Sequence, residues 1–184
     1  RQRPSIRNGP WDNDGMKDWS TNFPEKILNA TLDFDGSSID LWNIRTVPGS
    51  MYGEEKIKIF EDTYNRIIKS EYNQRILAGD FNSPKAELPD GSVIPWRLNR
   101  TPDIRERWVR AELNIHTGFE DCGMVDVFRE IHGYGDIDVE DTSFQSKRFD
   151  HIFASESLNP ERCRYNHEGY DCSDHAPILA EFDP

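Results

Sequence analysis

Apolar positions along the chain change their period several times, and each change marks an element. Ala30 to Phe34 and Ile39 to Ile44 are short strand-like runs, and Asp35-Gly36-Ser37-Ser38 between them has the composition of a hairpin turn. The two runs are predicted to pair antiparallel. After Pro48-Gly49-Ser50 the spacing lengthens: Ile57, Phe60, Tyr64, Ile67 and Ile68 recur at three and four residues, which predicts an amphipathic helix over roughly 53–70. Arg75 to Asp80 reads as a buried strand ending on an acidic residue. A second helix is expected from about Asp103 and Glu106, with Ile104, Trp108, Ala111 and Ile115 on its apolar side, and a short one around Val125 to Ile131. Arg148 to Ala154 and Pro177 to Phe182 are the last clear strands. Residues 1–24, rich in Gly, Pro, Asn, Asp and Trp, show no period and read as loop. Residues 83–103, punctuated by Pro84, Pro89, Pro95 and Pro102, read as a long irregular connection, and such connections tend to serve a site.

Strands and helices therefore alternate in mixed order around at least one tight hairpin, which favours a layered α/β protein over a doubly wound parallel sheet. The chain has 184 residues, enough for one core, and residues 1–184 are read as a single domain. No run of eighteen apolar residues occurs, and Arg1-Gln2-Arg3-Pro4-Ser5 has no apolar segment, so neither a membrane span nor a signal peptide is expected. A net charge of -12 argues against tight non-specific binding to long duplexes. It leaves a local site open, because a bound divalent cation offsets carboxylate charge.

Cys122, Cys163 and Cys172 have no disulfide-framework spacing, which leaves a mild preference for a reducing, cytoplasmic setting. Cys163, His167, Cys172 and His175 form C-x3-H-x4-C-x2-H, a zinc alternative that lacks the usual tight cysteine pair. Asp12-Asn13-Asp14-Gly15 resembles part of a calcium loop, but Pro10 stands where an oxygen ligand is needed.

Three polar clusters fall at strand ends: Gly79-Asp80-Phe81-Asn82, Arg148-Phe149-Asp150-His151-Ile152, and Ser173-Asp174-His175-Ala176-Pro177-Ile178. Singly, each reads as a turn or a cap. In this order, an apolar strand into G-D-F-N, then R-F-D-H-I-F-A-S, then S-D-H-A-P-I before a closing strand, the chain resembles the endonuclease/exonuclease/phosphatase superfamily, of the DNase I-like type. Phe23-Pro24-Glu25-Lys26, Pro48-Gly49-Ser50 ahead of a helix carrying Glu61, and Gly123 to Arg129 extend the resemblance over roughly residues 20–182.

The resemblance implies a partial four-layer α-β-β-α sandwich that lacks its N-terminal strands, and a metal-dependent hydrolysis of phosphate esters assisted by Mg²⁺ or Mn²⁺. It implies that Asp80 orients and activates the attacking water and that Asn82 and His175 contact the phosphate. Asp150 would hold the His175 imidazole in the needed tautomer, and Asp174 would serve at the metal. Nucleic acid is the leading substrate. Trp96, Trp108 and Phe144 could stack on bases, although aromatic residues more often fill a core. Inositol phosphates, lipids and nucleotides are alternatives, as is a noncatalytic phosphate-binding member of the same fold.

Two departures qualify this resemblance. The family's Asn near the first strand, and the Glu after the second that serves as a principal metal ligand, have no match in residues 1–24. The chain is expected to be weak or inactive where a version extended at its amino end works, and either to self-associate through bared sheet edges or to have low stability. In Asn43-Ile44-Arg45-Thr46-Val47-Pro48, Arg45 stands where many relatives carry His or Tyr facing the substrate. Arg45 could bind phosphate bidentately but cannot donate a proton as His does, and otherwise it is a solvated strand-end arginine.

Overall fold

The computed structural model describes residues 4–9, 18–34, 36–96 and 101–183. The elements run β1 (Ser5–Asn8), β2 (Ile27–Phe34), β3 (Ser37–Arg45), α1 (Gly49–Tyr52), α2 (Glu54–Ile67), β4 (Gln74–Asp80), β5 (Ala86–Glu87) and β6 (Val93–Ile94). They continue with α3 (Pro102–His116), β7 (Met124–Asp126), α4 (Val127–His132), β8 (Asp150–Ser155), β9 (Pro160–Tyr165) and β10 (Ile178–Phe182).

Six strands form one mixed sheet in the order β1-β2-β3-β4-β8-β7, with β3 and β4 parallel and the other neighbours antiparallel. The β2–β3 hairpin follows the predicted pairing, with Phe34 opposite Ser37 and Ile27 opposite Ile44. Crossing from β3 to β4 in parallel requires a long connection, and α1 and α2 supply it. Strand alternation then sorts the sheet's two faces. Trp42, Ile44, Leu77 and Phe153 point to the face covered by α2 and α3, where they meet Ile57, Phe60, Ile67, Trp108, Ala111 and Ile115. Ile39, Ile152 and Ala154 point to the other face, against Val127 and Phe128 of α4 and Cys163 and Tyr165 of β9. Burial of each such large apolar side chain stabilises by roughly 1.5–3 kcal/mol, so these two cores hold the sheet's centre rigid.

Several sequence expectations need correction. Residues 1–24 contain a strand, β1, whose four exposed residues pair with Asp33 to Ala30; its sequence Ser-Ile-Arg-Asn is too short and too polar to show a period. The connection 83–103 includes the small β5–β6 hairpin, two residues a side. Val125 to Ile131 is split, with Met124–Asp126 a strand and the helix starting only at Val127, because the Asp126 carboxylate accepts from Phe128 N and Arg129 N and caps it. Strand β9, paired with β10, is absent from the sequence reading since Glu161, Arg162 and Arg164 mask its alternation. Ile68, counted on the helix's apolar side, is 38% exposed at its end.

The layering agrees with the expected fold in part: helices α2 and α3, the mixed sheet, and the β9–β10 pair with α4 beside it. Near the β1 edge, Ile6 and Leu28 are 71% and 62% exposed. No described helix is long and apolar enough to cross a membrane. The Asp12 to Gly15 segment lies outside the described residues.

Candidate active site

The mixed sheet brings the polar clusters together through strand register. Arg45 pairs with Asp80 across β3 and β4, and Asp80 pairs with Asp150 across β4 and β8, so the three residues form one row at the sheet's end. Each lies in phase with Ile39, Ala78 and Ile152, and therefore on the β9–β10 side of the sheet. His175 arrives from the loop before β10, and its Nδ1 lies 2.7 Å from Asp150 Oδ2. Ligand atoms of Asp80, Asp150 and His175 all lie within 4.8 Å of one another. Positions 95 residues apart in sequence thus face one hollow.

Local geometry explains the Gly-Asp-Phe-Asn motif. Gly79 has φ +139°, and a Cβ there would stand 1.9 Å from the Ile44 carbonyl oxygen, so only glycine lets β3 and β4 approach at this level. Phe81 is fully buried, and its N–H donates to the Phe149 carbonyl at 2.8 Å, which ties the turn to the start of β8. Asn82 adopts φ +47°, a left-handed conformation that asparagine tolerates better than most residues. Its backbone N–H donates to Asp80 Oδ1 at 2.9 Å, and its Nδ2 donates to Asp80 Oδ2 at 3.1 Å and to the Thr46 carbonyl at 3.0 Å. Asn82 therefore fixes Asp80 first, and its amide reaches phosphate only by leaving one of these acceptors.

Asp80 is the electrostatically perturbed member. Burial raises its pKa above the usual carboxylate range; the Asn82 hydrogen bond opposes the rise, Asp150 adds to it, and His175 and Arg45 oppose it. Such a carboxylate is a better proton acceptor than an ordinary solvated aspartate. Asp150 is held from several sides: Ser143 Oγ accepts from Phe149 N at 2.9 Å and Asp150 N at 3.0 Å, and Tyr165 OH donates to the Asp150 carbonyl at 2.6 Å. Ser143 also receives the His175 loop, its carbonyl accepting from Ala176 N at 2.8 Å and Tyr170 OH at 3.1 Å.

Ser143 is thus the joint between two motifs, and nothing in the sequence marks it. Phe144, assigned above as a possible base-stacking residue, lies over the His175 ring with centroids 4.6 Å apart and planes 20° from parallel. Its role at the site is to hold that imidazole face. Among the described residues the His175 Nε2 has no hydrogen-bond partner.

Arg45 is exposed beside Asp80, and Asp174 is exposed next to His175 but outside the clustered trio. The zinc alternative fails. Cys163 is buried, His167 Nε2 contacts the Thr142 carbonyl at 3.0 Å, His175 contacts Asp150, and among the described residues Asp80, Asp150 and His175 form the one group placed to hold a metal. That donor set fits a divalent cation, since two carboxylates supply hard oxygen ligands suited to Mg²⁺ or Mn²⁺, while the imidazole nitrogen suits softer ions.

No protein-family model and no curated protein matches the chain. Solved structures do. An endonuclease/exonuclease/phosphatase family protein from Leptotrichia buccalis C-1013-b is 20% identical with a TM-score of 0.53, covering 86% of this chain and 54% of its own. D. rerio TDP2 complexed with single strand DNA product is 18% identical with a TM-score of 0.57, over 86% of this chain and 61% of that one. The inositol polyphosphate 5-phosphatase domain of SPsynaptojanin, in complex with inositol (1,4)-bisphosphate and calcium ion, is 14% identical with a TM-score of 0.51, over 97% and 53%. The chain has the endonuclease/exonuclease/phosphatase fold. It spans little more than half the length of these structures.

Proposed function

We propose that the row Arg45, Asp80, Asp150, with His175 above it, is the phosphoester-hydrolysing site of a metal-dependent phosphoesterase, most plainly one acting on nucleotide esters. The convergence of Asp80, Asp150 and His175 within 4.8 Å carries this reading. Asp80, held by Asn82 on both oxygens, is placed to take the proton from an attacking water, and its raised pKa suits that task. His175, with Nδ1 tied to Asp150, presents Nε2 to a phosphoryl oxygen or the leaving group, while Phe144 restrains its ring. Arg45 offers a planar, bidentate donor to the phosphate. A divalent cation, when bound, neutralises charge on the phosphoryl oxygens; the carboxylates of Asp80 and Asp150 would hold it.

The fold supports the reaction class, and the two ligand-bearing relatives, one with DNA and one with an inositol phosphate, leave the ester open. A second reading, phosphate binding without turnover, is favoured by one observation: among the described residues no Glu joins the clustered trio, although the resemblance calls for one as a metal ligand. Hydrolysis of bis-p-nitrophenyl phosphate and of a single-stranded oligonucleotide with Mg²⁺ or Mn²⁺ separates the two, run on this chain and on a version extended at its amino end. Turnover that depends on metal and falls at least 100-fold in Asp80→Asn supports catalysis. Phosphate and Mn²⁺ binding without turnover in either chain supports the second reading.

A further inference from the structure

Two charged residues stand on helix stripes that face the core. On α2, Lys56 shares its buried stripe with Phe60, Thr63 and Ile67, and on α3, Glu112 shares its own with Trp108, Ala111 and Ile115. The Lys56 side chain is 2% exposed and that of Glu112 0%, and Lys56 Nζ lies 3.7 Å from Glu112 Oε1. Replacing such a pair by apolar residues of like volume is often neutral or stabilising, so stability does not explain why charge occupies these two positions. What the two side chains hold does explain it.

Both reach the turn that leaves β4. Lys56 Nζ donates to the Asn82 carbonyl at 2.6 Å, and Glu112 accepts from the hydroxyl of the next residue, Ser83. Phe60, one helical turn beyond Lys56, packs on Phe81 with ring centroids 6.4 Å apart. Three consecutive residues of the turn, Phe81, Asn82 and Ser83, are thus seated on α2 and α3. Glu112 is anchored in turn, accepting from Trp108 Nε1 at 2.6 Å and from the Trp96 backbone N–H at 2.9 Å. Trp108, named above for base stacking, is buried and serves this anchor instead. Asn82 stands at φ +47°, a conformation that persists where the surroundings hold it. Its N–H and Nδ2 bind the two oxygens of Asp80, and its carbonyl is fixed by Lys56. Burial pulls the Lys56 pKa down to about 8, with Glu112 and Asp80 opposing, so at pH 7 the donor keeps its charge.

Resting on the phosphoesterase reading of Asp80, we infer that Lys56 is a positioning residue for the hydrolysis: through the Asn82 carbonyl it fixes the residue that aims Asp80, and Glu112 holds Lys56 in place. Lys56 itself is closed to substrate. Its contribution is to the aim of the proton acceptor, so it belongs to turnover rather than to substrate binding. A buried ammonium suits this task better than a neutral donor, because a charge-assisted hydrogen bond is roughly twice as strong as one between neutral groups.

Removing both charges together separates positioning from support. Lys56→Met combined with Glu112→Gln leaves no unpaired buried charge and keeps an acceptor for Trp108 Nε1. In this double variant kcat on bis-p-nitrophenyl phosphate with Mn²⁺ should fall about 10- to 100-fold while KM stays unchanged. Amide exchange at Asn82 should quicken by at least about 10-fold, and the core amides of Trp42 and Leu77 should keep their protection. A merely structural pair would move all three amides together. Should the double variant unfold, the unmodified protein decides: the Lys56 ammonium protons should exchange slowly and give a nuclear Overhauser contact to Asn82. Retained kcat in the folded double variant, unchanged exchange at Asn82, or a Lys56 ammonium that exchanges at the solvent rate overturns the assignment. Quickened exchange at Asn82 with no hydrolysis in any form of the protein overturns the phosphoesterase reading alone.

Discussion

Among the described residues the molecule holds two histidine–aspartate pairs, one partly exposed and one buried. His175 and Asp150 are 2.7 Å apart with side chains 23% and 18% exposed, and Nε2 is open among the described residues. His151 and Asp126 are 3.3 Å apart, and His151 is 2% exposed, its Nε2 lying 2.7 Å from the Arg148 carbonyl and 3.2 Å from that of Ser83. Asp126 also receives Arg148 at 2.7 Å on each oxygen, while Arg148 binds both oxygens of Glu87 at 3.0 and 2.9 Å. What separates a histidine available for chemistry from one that is part of the frame is a second nitrogen without a partner. Of this pair His151 follows Asp150 in the R-F-D-H motif and so takes the opposite face of β8, where Asp126 at the end of β7 holds it.

The largest expected effect divides the pairs cleanly. His175→Ala or Asp150→Asn should lower kcat on a phosphodiester by about 10²- to 10⁴-fold, while thermal unfolding moves by no more than about 1 kcal/mol, as befits a partly exposed pair. Asp126→Asn should do the reverse: about 3–5 kcal/mol of stability lost in urea unfolding, because Arg148 is left buried with one carboxylate removed, and kcat per folded molecule retained. Loss of kcat without loss of stability in Asp126→Asn would merge the two pairs into one functional unit.

Acid dependence sharpens the contrast, because two carboxylates respond with opposite sign. Burial pushes Asp126 up, but Arg148 and His151 outweigh it and hold its pKa well below the usual value. Its contribution to stability is present above the unfolded value of 3.8 and is lost as pH falls through the folded one. Asp80 is raised instead, by burial first, so its contribution is full below 3.8 and is lost as pH rises through its higher folded value. Asp80→Asn should therefore raise Tm at pH 7, with the gain vanishing below pH 3.8, measured by calorimetric scans across pH. A gain that persists unchanged at low pH would remove the electrostatic explanation. The same raised pKa should set the acidic limb of the kcat profile above that of a solvated aspartate.

The smallest effect concerns the ring above the imidazole. Phe144→Ala should cost about 0.5–1.5 kcal/mol of transition-state stabilisation, roughly a 2- to 13-fold fall in kcat/KM, and Phe144→Tyr should restore most of it. A fall in Phe144→Ala that Phe144→Tyr does not reverse would point to general disruption of the loop.

Much of the site was legible because it sits in short polar motifs at strand ends, where a strand's last residue must face a rim. The G-D-F-N, R-F-D-H and S-D-H clusters named Asp80, Asn82, Asp150 and His175, and the helices α2 and α3 were plain in their three- and four-residue spacing. What escaped notice depends on tertiary partners. Ser143 acts through its own backbone and hydroxyl, β1 and β9 are held by pairing rather than by pattern, and Arg148 and His151 look no different in sequence from their neighbours at the candidate site. Periodicity reports which face a residue takes, and it is silent on which buried atom it meets there.

A double-mutant cycle on Mn²⁺-supported hydrolysis of bis-p-nitrophenyl phosphate tests the site most directly, comparing Asp80→Asn, His175→Ala and both together in this chain and in a version extended at its amino end. The account predicts that each single change removes most turnover and that the double falls little further, because residues acting on one phosphate are not independent. Wild-type turnover in His175→Ala, or strictly multiplicative losses in the double, would contradict it.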